Sequence, residues 1–191
     1  MMTTDSALAG TWDIDPSHTR IGFSARHAMV TKVRGAFNKV SGHVSVNPED
    51  PSDVQIEVRV QLDSIDTRNA QRDEHLRSAD FFDVENHPEM IYTAHTVDEI
   101  DDQNYVVVGE LDIGGTARPL TLPLELTGVE RDQTGALRAG LEGTRRITRK
   151  EWGISWNAPL DSGGVLVSDK ITLEFELSLI KRESEDWLSR T

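Results

Sequence analysis

The sequence predicts an all-β fold, an antiparallel barrel of about eight strands carrying one short helical insertion around residues 67–80. Three observations lead there. Apolar and polar residues alternate with a period of two along most of the chain, the pattern of strands with one buried face. Clusters of Gly, Pro, Asn and Asp interrupt that pattern at short intervals, as antiparallel hairpins require. One stretch, Thr67 to Asp83, abandons the alternation for charged, helix-compatible residues that end in Phe81 and Phe82.

Trp12-Asp13-Ile14 reads as a short strand entering the turn Asp15-Pro16-Ser17-His18, where Asp15 is placed to accept backbone N–H bonds. From Thr19 to His27, Ile21, Phe23 and Ala25 share one face and Arg20 and Ser24 the other. Val30 to Val46 holds two further strands whose apolar phase changes between Phe37 and Val40, which predicts a bulge or bend near Gly42. The turn NPEDPSD at 47–53 precedes the cleanest strand, with Val54, Ile56, Val58, Val60 and Leu62 on one side. The helix follows, with Ser64, Asp66 or Thr67 as N-cap.

Met90–Ile100 and Tyr105–Ile113 form a hairpin joined by Asp101-Asp102-Gln103-Asn104. In the next strand Leu120, Leu122, Leu124 and Leu126 alternate, but Pro119 and Pro123 remove two ladder donors, so an edge or a neighbouring bulge is expected. Leu137–Gly143 and Ile171–Leu179 complete the set, the last with Glu174 and Glu176 pointing outward. Residues 11–181 are read as one barrel domain between tails at 1–10 and 182–191, with Trp187 tucking against the barrel.

The 191 residues carry 20 Lys and Arg against 33 Asp and Glu, a formal charge of −13, and no cysteine. Such acidity repels nucleic-acid phosphates and anionic headgroups, so neither is expected as a partner. Without cysteine there is no disulfide framework or thiol nucleophile. The opening MMTTDSALAG has no basic segment and no apolar run of signal-peptide length, and no later stretch reaches the length of an integral membrane segment. A cytoplasmic location is the expectation.

An eight-stranded barrel is filled by side chains or holds one ligand, depending on the size of its inward residues. Here the inward rows are Val, Ile, Leu and Ala with few rings, which suits a branched aliphatic chain better than a flat cofactor.

Motifs in fixed order add a resemblance. They are Trp12-x-Ile14-Asp15-Pro16-x-His18, Phe23-x-x-x-His27, Val33-x-Gly35-x-Phe37, Ser64-Ile65-x-Thr67, and Arg72-Asp73-x-His75-Leu76-Arg77-Ser78-x-Asp80-Phe81-Phe82-Asp83. His87-Pro88, Gly109-x-Leu111-x-Ile113-x-Gly115, Ile147-x-Arg149-x-x-Trp152-Gly153-Ile154 and Val167-Ser168-Asp169 follow. Together they resemble the YceI-like family, a polyisoprenoid-binding group with a lipocalin-like barrel. The resemblance implies an extended lipocalin-like barrel whose tunnel holds a non-covalent isoprenoid lipid, of isoprenoid quinone or polyprenyl phosphate type, and which is often a homodimer; a non-enzymatic carrier or sequestering protein is the expected function. Trp152 stands where that family usually has phenylalanine, which would reshape part of the tunnel.

The expected lipid-binding residues are His18, Phe23, Arg26, His27, Phe37, Leu76, Phe81, Phe82, Arg149, Trp152 and Ile154, with Asp73 a further polar candidate. Arg149 lies in Arg145-Arg146-Ile147-Thr148-Arg149-Lys150, a basic run in an acidic chain, where it faces a headgroup or pairs with Asp73 or Asp80. His18 and His27, nine apart in a strand, fall on opposite faces, so they do not share a metal. Gly153-Ile154-Ser155-Trp156 lacks the second glycine of a nucleophile elbow, and Gly114-Gly115-Thr116 lacks a P-loop lysine. The alternatives to a lipid carrier are an enzyme using His18, His27 and Arg149 on a small apolar substrate, and a packed interaction domain without a cavity. Ala70, Leu76 and Ala79 are too few for a core helix and enough for a lid.

Overall fold

The computed structural model describes residues 8–161 and 163–183. Trp187 lies outside them. Eleven strands are present: β1 (Gly10–Ile14), β2 (Arg20–His27), β3 (Thr31–Phe37), β4 (Val40–Val46), β5 (Asp53–Gln61), β6 (Ile65–Asp66), β7 (Glu89–Glu99), β8 (Asn104–Ile113), β9 (Thr116–Arg131), β10 (Leu137–Thr148) and β11 (Lys170–Lys181). The order β1-β4-β5-β7-β8-β9-β10-β11 closes through β1–β11, giving an eight-stranded antiparallel barrel.

Four of the eleven strands are halves of two staves. β1 and β2 both run along β11, pairing with Leu179–Lys181 and with Thr172–Glu176, and Asp15–Thr19 is an outward excursion between them. β3 and β4 follow suit, β3 pairing with β2 and β4 with β1. The phase change expected between Phe37 and Val40 is the break at Asn38-Lys39, where Asn38 N and Lys39 N donate to Ser64 O and Ser64 Oγ. β4 keeps an unbroken register with β5 from Val40↔Val60 to Val46↔Val54, so Gly42 marks no bulge. It is a close approach instead, since a Cβ there would sit 2.3 Å from the Glu57 carbonyl oxygen.

β9 is not an edge strand, but its proline half behaves like one. Thr116–Glu125 pairs with β8, and pairing with β10 begins only at Glu125↔Glu142, next to a register shift at Gly140/Leu141. Missing donors are tolerated where no second ladder exists.

The helix α1 is shorter than the stretch that predicts it, Ala70–Arg77. Its N-cap is Asn69, whose side chain accepts from Arg72 N at 2.9 Å. Thr67 is not the cap because it is committed elsewhere: its N–H and hydroxyl donate to Asp73 Oδ1, and its hydroxyl and carbonyl oxygens accept from Arg72. Ala70 and Ala79 are exposed, so Leu76 is the apolar contact of the helix and buried Asp73 its polar anchor. The segment 62–88 covers the flank where β3 has only the two-residue β6 beside it rather than a full strand.

Candidate functional site: an apolar cavity along the barrel

The inward rows do not close on one another. They leave a cavity of about 260 Å³ running from Leu8, Val46 and Val97 at one end to Leu76, Phe81, Ile154 and Val167 at the other. From Ile171 to Leu179 the lining covers eight residue steps of β11, about 27 Å along the strand and about 20 Å along the axis at ordinary barrel tilt. Val44, Ile56, Val58, Leu173, Phe175 and Leu177 point inward by alternation yet are only half-buried, because the space they face is hollow. Native interiors are close-packed with few voids larger than a water molecule, so a space of this size is large enough to take a ligand.

The chemistry of the wall is uniform. Three ring residues with a polar tip spend it on backbone: Trp12 Nε1 donates to Leu8 O, Tyr92 Oη to Leu120 O and Trp152 Nε1 to Leu111 O, at 2.8–2.9 Å. Burial pushes the Tyr92 phenol above its ordinary pKa, keeping it neutral. These three rings thus offer the cavity their apolar faces.

Among the described residues, Arg149 is the one charged residue on the lining. It is 4% exposed, and its guanidinium donates to Ser168 O (3.0 Å), Ile154 O (2.9 Å) and Val167 O (3.4 Å), with Asp169 at 3.7 Å. Its acidic neighbour is therefore Asp169, not Asp73 or Asp80, since it sits in the single turn Arg149–Trp152 that returns the chain toward β11. Desolvation lowers its pKa, opposed by Asp169.

Of the residues expected at a site, Phe23, Phe37, Leu76, Phe81, Phe82, Arg149, Trp152 and Ile154 lie on this lining, and His18, Arg26 and His27 do not. His18 is on the Asp15–Thr19 excursion, its side chain 67% exposed and its Nδ1 2.7 Å from Asp15 Oδ2. Arg26 and His27 are outward or terminal on β2 and exposed. His27 lies seven steps past the start of β2, about 23 Å, so it and His18 share no site. Asp73 faces Thr67.

The rings at the α1 end form two groups. Phe23, Phe37 and Phe82 run in sequence, with centroids 5.7 and 5.8 Å apart. Gly35 makes room for them: a Cβ there would sit 2.5 Å from the Phe23 ring and 2.8 Å from Thr67 Cγ2. His75, Phe81 and Trp156 form the second group, with centroids 4.6–5.3 Å apart, clasping the α1 segment to the 153–169 loop. Sequence reasoning missed Trp156. It stands outside every alternating segment, and only its size in a chain with 6% aromatics marked it.

Fold and cavity together define a lipocalin-like barrel with an apolar interior. The chain belongs to the YceI-like family, whose model, described as a YceI-like domain, matches residues 12–179. It is 34% identical over 154 residues to a UPF0312 protein of Photorhabdus laumondii, covering 80% of each chain. Against the protein YceI of Salmonella newport it is 32% identical over 161 residues, covering 81% of this chain and 82% of that one. Among solved structures, BcnA of Burkholderia cenocepacia superposes with a TM-score of 0.75 at 19% identity, over 86% of this chain and 98% of that one. A polyisoprenoid binding domain from Saccharophagus degradans gives 0.70 at 13% identity, over 90% and 98%. At those identities the structural likeness is one of fold.

Proposed function

We propose that the protein binds an amphiphilic isoprenoid lipid, of isoprenoid quinone or polyprenyl phosphate type, with its tail in the barrel, and serves as a carrier or sequestering protein rather than an enzyme. The observation that carries this reading is the cavity: about 20 Å long at ordinary strand tilt, lined mainly by aliphatic side chains, with a single charged residue among the described ones. A flexible apolar chain is the ligand such a wall rewards, at about 25 cal/mol per Å² of surface removed from water. Membership of the YceI-like family and the likeness to the Saccharophagus polyisoprenoid binding domain support it.

Arg149 is the group on the lining suited to the polar end of the ligand, and it also fixes the loop around that part of the wall. The enzyme alternative would need His18, His27 and Arg149 to converge, whereas two of the three lie off the cavity. Homodimer assembly and a cytoplasmic location rest on the resemblance and on the sequence alone. Sedimentation and cell fractionation read them directly. Organic-solvent extraction of protein purified under native conditions tests the ligand: an isoprenoid lipid in near-stoichiometric amount is expected, and straight-chain fatty acids in its place would overturn the isoprenoid assignment.

A further inference from the structure

The sequence-wide charge argues against membrane contact, but charge is not evenly placed. On the outer face of β2, β3, β10 and β11, Arg26, Lys32, Arg146 and Lys170 surround a polar depression of about 110 Å³ with Ser24 and Thr172. Arg26 and Lys32 are directly opposed across β2–β3, an arrangement of like charges that costs stability. Among the described residues none of the four has a carboxylate at ion-pair distance. The nearby acids are already engaged, Glu174 by Arg20 and Asp169 by Arg149 and Lys150. Four basic groups without internal counter-ions, in a chain of net charge −13, select for an external anion.

The adjoining tip supplies the second half. His27-Ala28-Met29-Val30 is a two-residue turn closed by Val30 N donating to His27 O, with φ of 51° at Ala28 and 63° at Met29. Both are left-handed positions that glycine or asparagine fills without strain. The chain instead places Ala28 and Met29 there, and Met29 and the following Val30 are 67% and 77% exposed, beside Val165, itself 42% exposed. Met29 lies over Gly164, where a Cβ would sit 2.4 Å from its sulfur, so the two turns form one apolar tip. Immediately behind it, Ala25 and Val167 line the cavity.

We propose that this tip docks on an anionic phospholipid bilayer, Met29, Val30 and Val165 entering the interfacial apolar layer while Arg26, Lys32, Arg146 and Lys170 meet headgroup phosphates. Amphipathic surfaces bind membranes by this pairing of apolar insertion with basic charge. The rest of the acidic surface is screened beyond a Debye length of about 8 Å at physiological ionic strength. The purpose assigned to docking, bringing the end of the cavity to a membrane where an isoprenoid lipid resides, rests on the function proposed above. The docking itself does not.

The full chain is mixed with vesicles of phosphatidylcholine alone and of phosphatidylcholine with one-third phosphatidylglycerol, and co-sedimentation is read. Binding to the anionic vesicles at least tenfold tighter than to the neutral ones, weakening with salt, is expected. Arg26→Glu with Lys32→Glu should lower it at least tenfold, and Met29→Ser with Val30→Ser should do likewise with the circular dichroism spectrum unchanged. Because the chain has no cysteine, Met29→Cys accepts a single environment-sensitive dye, whose emission should shift to the blue only on anionic vesicles. Equal binding to both vesicles, no binding, or a tip variant that changes oligomeric state while vesicle binding stays at the wild-type level would overturn the proposal. A cavity-filling variant such as Val58→Phe should still dock while losing lipid uptake, so failure of docking and failure of the lipid reading are told apart.

Discussion

Filling the cavity should stabilise the protein and abolish its function, a pair of opposite effects that few other sites would produce. Val58 lies midway along β5, faces the cavity and is half-buried. Val58→Phe adds four carbons to that space. At about 0.8 kcal/mol per buried CH₂ the gross gain is about 3 kcal/mol, reduced by side-chain ordering to a net of about 1–2 kcal/mol. There is room, because at about 24 cal/mol per Å³ a void of about 260 Å³ represents about 6 kcal/mol of unrealised packing. For a chain of this size the melting temperature of delipidated protein should rise by about 3–6 °C. Thermal unfolding after solvent delipidation is the assay, since bound ligand would itself raise stability. Uptake of a prenyl lipid by the same variant should fall at least tenfold. Destabilisation by more than about 1 kcal/mol, the mark of an overpacked core, together with unchanged uptake would refute the reasoning.

Asp73→Ala removes the acceptor for the Thr67 N–H and hydroxyl in a buried site and should cost about 2–4 kcal/mol in urea unfolding. Trp156→Ala opens the clasp with His75 and Phe81; at about 0.5–1.5 kcal/mol per ring pair, hydrogen exchange in Ala70–Arg77 should quicken while the barrel strands stay protected. Trp152→Phe loses the bond to Leu111 O, and about 1–3 kcal/mol with it, if the carbonyl is left dry. The Asp15 carboxyl is held well below its ordinary pKa by the Arg138 guanidinium, against desolvation and with help from Ser17 and His18. A depressed folded-state pKa gives stability that is complete above the unfolded value near 3.8 and is lost as pH falls toward the folded one. Unfolding of Asp15→Asn, followed from pH 5 to pH 2, should therefore decline less steeply than that of the parent.

The barrel was legible because period-two alternation is a direct imprint of a wall with one apolar side. Val54 to Leu62 and Ile171 to Leu179 announce their inner faces residue by residue, and the resulting lining holds eight of the eleven expected site residues. The other three, His18, Arg26 and His27, drew notice as polar residues within recognised motifs, a signal that marks turn chemistry as readily as a site. His18 in fact completes the shell of Asp15, which Arg138 bridges to Asp132. The partner of Arg149 was not legible either, because Asp169 arrives from a different loop twenty residues later and no local spacing encodes that meeting. The N-cap went to Asn69 rather than Thr67 for a tertiary reason, the buried Thr67–Asp73 pair. Net charge is similarly blind to placement, since a total of −13 says nothing of where Arg26, Lys32, Arg146 and Lys170 gather.

The proposed function depends on the barrel interior being occupied by a lipid in the cell. A native mass spectrum of freshly purified, undelipidated protein measures that occupancy directly. The account predicts a mass above that of the 191-residue chain, falling to the chain mass on collisional activation with release of an isoprenoid species. A spectrum at the bare chain mass, unchanged after incubation with prenyl lipids, would contradict it.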